Sequence, residues 1–143
     1  MRRTASWGLL LVMLVGGCTS GPPTASATLG GLEISGGFAY EPITLASGAA
    51  YFTVENVSAT PDTLLSITTT AAASAMLHGG SMTHLATLPI PSRATVTLAP
   101  GGTHLMISDF TTMPKAGDSL PVTLRFSYNG TITLLLPVRK YGE

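Results

Sequence analysis

Leu124-Arg125-Phe126-Ser127-Tyr128-Asn129-Gly130-Thr131-Ile132-Thr133-Leu134 is the stretch that decides the fold. Aromatic and β-branched residues flank an Asn-Gly pair. Both central positions of a two-residue type I′ turn require positive φ, which Asn and Gly tolerate best. The stretch therefore predicts an antiparallel hairpin, with strands over Leu120 to Tyr128 and Thr131 to Val138. The same grammar extends towards the N-terminus, where short apolar runs are expected as strands at Leu32 to Ser35, Ala49 to Val57, Thr63 to Thr70, Ser74 to His78, Met82 to Leu88, Ala94 to Leu98 and His104 to Ser108. Turn residues separate them: Gly36-Gly37, Ser58 to Asp62, Gly79-Gly80, Pro89 with Pro91, Pro100-Gly101-Gly102 and Pro114 to Gly117. Alternation in Tyr51-Phe52-Thr53-Val54 and Thr95-Val96-Thr97-Leu98 sets an apolar face against a hydroxylated one. No sustained helical period appears. The expected architecture is an all-β, antiparallel β-sandwich of seven to nine strands.

The N-terminal segment follows a different rule. Arg2 and Arg3 precede an apolar run from Trp7 to Val15, too short to cross a bilayer and right for a signal-peptide core. Val15-Gly16-Gly17-Cys18 resembles a bacterial lipobox, so residues 1–17 are expected to be a leader and Cys18 the lipid-bearing residue. Residues 18–28, rich in Gly, Pro, Ser, Thr and Ala, are expected to be a flexible tether, and residues 29–143 the domain. The implied location is the outer side of the bacterial cell membrane or the periplasm, with the chain held to the membrane through the lipid on Cys18.

The whole chain has seven Lys and Arg against seven Asp and Glu; beyond residue 17 the balance is five against seven, a net charge of −2. So few charges leave no basic footprint for nucleic acid. Cys18 is the only cysteine, so no disulfide forms within one chain and no thiolate is left for catalysis or a blue-copper centre. The sequence holds no H-E-x-x-H, no phosphate loop and no G-x-S-x-G, and its carboxylates show no paired spacing. An enzyme is therefore not expected. A monomer is.

The informative residues are soft donors. All three His and four of the six Met fall between Met76 and Met113: Met76, His78, Met82, His84, His104, Met106 and Met113. Methionine used as core filler should be scattered. Thioether and imidazole together, without thiolate, form a donor set suited to Cu(I). On a strand, His104 and Met106 share a face, as do Met76 with His78 and Met82 with His84. A three-residue Gly79-Gly80-Ser81 loop would set His78 opposite Met82 and Met76 opposite His84; a two-residue loop would spoil that arrangement. Met76 reads equally as core, Met113 reads as packing beside Pro114, and Asp109 reads as a turn residue before a partner to a metal ligand.

Met82, twenty-one intervening residues, then His104-x-Met106, with Pro100-Gly101-Gly102 just before, resembles the second half of the ligand motif of the PCu(A)C family of bacterial extracytoplasmic copper chaperones. Ala49 to Asn56 resembles that family's early strand, and Leu120 to Phe126 with Leu136-Pro137-Val138 its final hairpin. The resemblance spans residues 29 to 140 and implies a cupredoxin-like sandwich that binds Cu(I) and delivers it to an acceptor, such as a copper centre of a cytochrome oxidase. One departure stands out: the family's first His lies about ten residues before the motif Met, where this chain has Ala71. The expected ligands are therefore His78, Met82, His104 and Met106, with His84 or Met76 as alternates for the first. A copper-storage lipoprotein and a metal-free interaction module are the competing readings.

Overall fold

The computed structural model describes residues 21–143, so the expected leader and Cys18 lie outside the described residues. Eleven strands are present: β1 (Ala25–Leu29), β2 (Leu32–Tyr40), β3 (Ser47–Asn56), β4 (Asp62–Thr68), β5 (Ala72–His78), β6 (His84–Leu85), β7 (Leu88–Ile90), β8 (Thr95–Thr97), β9 (His104–Phe110), β10 (Ser119–Phe126) and β11 (Thr131–Arg139). The described residues contain no helix. One sheet runs β6-β5-β9-β3-β2, with β1 added to β2 and β8 to β3; the other runs β11-β10-β4-β7. Two parallel pairs, Val138 with Ala39 and Arg139 with Tyr40, join the sheets at one edge.

The strand count exceeds seven to nine for two reasons. Ala25, Ala27 and Leu29 alternate with polar Ser26 and Thr28 and are half-buried, so β1 starts inside the segment expected to be tether. The run expected over Met82 to Leu88 breaks at Ala86-Thr87; its first part stays with β5 and its second crosses to β4. Gly36-Gly37 is a bulge inside β2 rather than a boundary, and Gly36 takes a φ of 63° that a side chain would resist.

The core follows the period of two. Leu120, Val122, Leu124 and Phe126 of β10 point inward, as do Phe52 and Val54 of β3 and Leu105 and Ile107 of β9. The predicted hairpin is present, with Leu124 opposite Ile132, but its turn is wider than type I′. Arg125 and Thr131 form the last ladder pair, Phe126 N donates to Gly130 O at 2.7 Å, and Gly130 alone has positive φ. Asn129 is instead recruited elsewhere. Its amide and its backbone N–H both donate to buried Asp62, and its Oδ1 accepts from Gly31 N.

Candidate metal site

β5 lies between β9 and β6, and the registers place His78 opposite both His104 and His84. Two residues along, Met76 stands opposite Met106, about 7 Å away by strand rise. Leu77 and Leu105, between these rungs, are 5% and 0% exposed and enter the core, so all five donors project from the outer face of the sheet. The ring centroids of His78 and His104 are 5.7 Å apart, and those of His78 and His84 are 6.3 Å apart.

The expected hairpin register is corrected. Gly79 N donates to Thr83 O at 2.8 Å, which makes Gly80-Ser81-Met82 the loop and moves the turn one residue later. His78 consequently faces His84 instead of Met82. Met82 occupies the left-handed position that ends a three-residue loop, with φ of 63°, and its side chain is 57% exposed. The loop packs against the other turn of the motif: a Cβ on Gly80 would stand 3.4 Å from Gly101 O. Met82 thus sits in the loop that follows His78, while Met76, an alternate in the sequence, sits on the face beside Met106. Met113 lies in the loop after β9, far along the chain path from this face. Asp109 has left-handed φ at an exposed bulge where β9 meets Ala46, five residues from His104, which fits a turn role.

Two of the histidines have distinctive ring-nitrogen environments. His104 Nδ1 lies 2.9 Å from Gly102 O, and because a carbonyl only accepts, this nitrogen carries the proton. Nε2 is then left with a free lone pair, the usual tautomer of a metal-binding imidazole. His78 Nδ1 is buried and has no hydrogen-bond partner, an orphan that costs free energy unless something occupies it. Among the described residues no group of three or more His, Cys, Asp or Glu is spaced to hold a metal. Beside the imidazoles, the thioethers of Met106 and Met76 stand on the same face and that of Met82 in the adjoining loop. Beside them the outer face is aromatic. Tyr51, Phe38 and Tyr40 pack edge to face or tilted, with Arg139 stacked over Phe38. Burial, with Tyr40 and Tyr141 adding to it, raises the Tyr51 hydroxyl above its ordinary value of 10.0 and keeps it neutral.

The family model described as "Putative lipoprotein LpqE-like" matches residues 32–138. The chain belongs to the LpqE-like family. This LpqE-like chain is 32% identical over 102 residues to "Putative lipoprotein Lxx21020" of Leifsonia xyli subsp. xyli (strain CTCB07), a match covering 66% of this chain and 61% of that protein, less than two thirds of its length. The copper-bound PCuAC domain from PmoF2 superposes with a TM-score of 0.74 at 24% identity, covering 80% of this chain and 97% of that one. The solution structure of Cu(I)-DR1885 from Deinococcus radiodurans gives 0.67 at 27% identity, covering 82% and 83%. The cupredoxin-like β-sandwich expected from the sequence is thereby the fold of the LpqE-like domain.

The left-handed Met82 yields a direct prediction. A non-Gly residue there costs about 1 kcal/mol of backbone strain, so Met82→Gly should leave stability to urea unchanged or raise it by up to about 1 kcal/mol. The same substitution should weaken Cu(I) binding in chelator competition. A loss of stability without loss of affinity would show that Met82 serves the turn and not the metal.

Proposed function

We propose that this domain binds one Cu(I) ion as cargo on the outer face of β5 and β9 and passes it to an acceptor protein outside the cytoplasmic membrane. The carrying observation is the convergence of His78, His104 and Met106 on one face, with Met82 in the adjoining loop and the buried His78 Nδ1 unpartnered. Cu(I) is a soft ion satisfied by neutral imidazole and thioether, so no thiolate is needed. The Cu(I)-bound DR1885 domain, 27% identical, supports a copper-chaperone kind of function. The finer assignment is that His78, Met82, His104 and Met106 are the ligands, that His84 and Met76 flank them, and that the acceptor is a copper centre such as that of a cytochrome oxidase. Lipid on Cys18 would hold the domain on the outer membrane surface where such an acceptor sits.

Exposure orders the exchange. Met82 is 57% exposed and His84 is exposed, so an incoming donor from the acceptor meets these first. His104, half-buried and held by the Gly102 carbonyl, releases last. Each step trades one neutral donor for another, so neither protons nor electrons need to move.

The test is transfer. The Cys18→Ser chain, loaded with one equivalent of Cu(I), is mixed with an acceptor domain of modestly higher affinity; copper should equilibrate to the acceptor by affinity. Retention against the tighter acceptor would make the protein a store. His84→Ala should lower affinity by less than about tenfold, as expected for a residue that assists without being a principal ligand. Abolished binding in His84→Ala, with His78→Ala unaffected, would give His84 the first ligand's place.

A further inference from the structure

The two apolar side chains most open to solvent, Ile43 and Tyr141, lie at one end of the sandwich with Leu45. Ile43 is 96% exposed, Tyr141 87% and Leu45 46%, and Ile43 and Tyr141 line one shallow depression with Pro42, Met113, Lys115 and Lys140. The N-terminal segment arrives at the same end, where Gly21, Pro22 and Pro23 share a groove with Ser119, Pro137 and Arg139. Glu41 ties the two surfaces together: its N–H donates to Arg139 O at 2.8 Å and its Oε2 accepts from Ala116 N at 2.9 Å.

Cys18 stands three residues before Gly21, so even a fully extended chain separates them by only about 11 Å. A lipid on Cys18 therefore brings the bilayer to this end of the domain and no other. We propose that Ile43, Leu45 and Tyr141 rest in the interfacial layer of the phospholipid bilayer that holds the Cys18 lipid. The proposal depends on the reading of Cys18 as lipidated and is independent of the copper assignment. Charge favours an apolar contact over anionic headgroup capture. Lys115, Arg139 and Lys140 are balanced by Glu41, Asp118 and Glu143, with Lys115 Nζ 3.8 Å from Glu41 Oε1. Tyrosine and aliphatic side chains with lysines at the margin suit the membrane interface.

The donor face lies along strands that meet this end. Phe110 N donates to Leu45 O at 2.8 Å, and Ala72 pairs with Phe110 at this end of the β5–β9 ladder. His78 and His104 stand six residues away along the same two strands, about 20 Å of strand rise, while Met106 lies nearer, opposite Ala49, which shares a surface depression with Ile43 and Tyr141.

The only tryptophan, Trp7, lies in the leader, so one introduced tryptophan reports alone in the mature chain. The lipidated full chain carrying Ile43→Trp or Tyr128→Trp is reconstituted in phosphatidylcholine vesicles with brominated acyl chains, after mass spectrometry of the Cys18 peptide. Tyr128 is 69% exposed and lies in the β10–β11 turn. Expected are a blue-shifted Ile43→Trp emission, quenched at least about two-fold more than that of Tyr128→Trp, and no change on adding 0.5 M salt, about the regime where surface charge is screened. Equal quenching, absence of quenching, loss of quenching in salt, or a blue shift without vesicles that grows with protein concentration would each overturn the proposal, the last by naming a second copy as occupant. An unmodified Cys18 would overturn it as well. Cu(I) binding measured on the same samples reports separately on the copper reading.

Discussion

His104→Ala should lower Cu(I) affinity by at least about 100-fold, more than the 10- to 100-fold that accompanies loss of a residue merely supporting a ligand. The corresponding free energy is about 2.8 kcal/mol, at 1.4 kcal/mol per decade. Stability should scarcely change, because His104 projects from the outer face while Leu105 beside it carries the packing. The Gly102 carbonyl presents His104 as a Nδ1–H tautomer, so the free Nε2 is formed before metal arrives. Competition with a chromogenic Cu(I) chelator measures the loss. Affinity within about tenfold of the wild type would remove His104 from the ligand set.

Asp62→Ala is expected to cost the fold about 3 kcal/mol, as a broken buried charge-assisted network does, and to lower Tm by roughly 10 °C. Asp62 is 5% exposed and accepts four hydrogen bonds, from Thr63 N, Tyr128 N, Asn129 N and Asn129 Nδ2, at 2.7 to 3.0 Å. Burial alone would raise its pKa. The donors led by Tyr128 N outweigh it and hold the carboxyl below its ordinary 3.8. A lowered folded pKa gives stability that is present above the unfolded value and disappears as pH falls through the folded one. The contribution of Asp62 should therefore fade below about pH 4, and Asp62→Asn should flatten the dependence of stability on pH in that window. Urea unfolding between pH 2.5 and 7 tests this; parallel wild-type and Asp62→Asn curves would contradict it.

The hairpin at Asn129-Gly130 was readable because the turn chemistry and the alternation on both sides are local. Asp62 was readable only as a turn residue, since its partners lie 66 and 67 residues away and nothing local marks them. β1 was hidden by small residues; Ala25 and Ala27 pack as a strand only because β2 is there to receive them. For the metal face, the period of two correctly put His104 with Met106 and Met76 with His78. The hairpin loop misled by one residue, because Gly79-Gly80 invites a turn there while the ladder continues through Gly79 and obliges Met82 to take the left-handed place. The pairing of β5 with β9, which brings Met76 beside Met106, joins segments about thirty residues apart, a separation at which short-range pattern carries no information.

X-ray absorption at the copper edge, on the chain loaded with one equivalent of Cu(I), addresses the central claim most directly. Mixed scattering from both sulfur and imidazole nitrogen is predicted, with the sulfur contribution reduced in Met106→Leu and the imidazole contribution reduced in His104→Ala. Failure to retain Cu(I), or a spectrum unchanged by either substitution, would contradict the assignment of this face as the copper site.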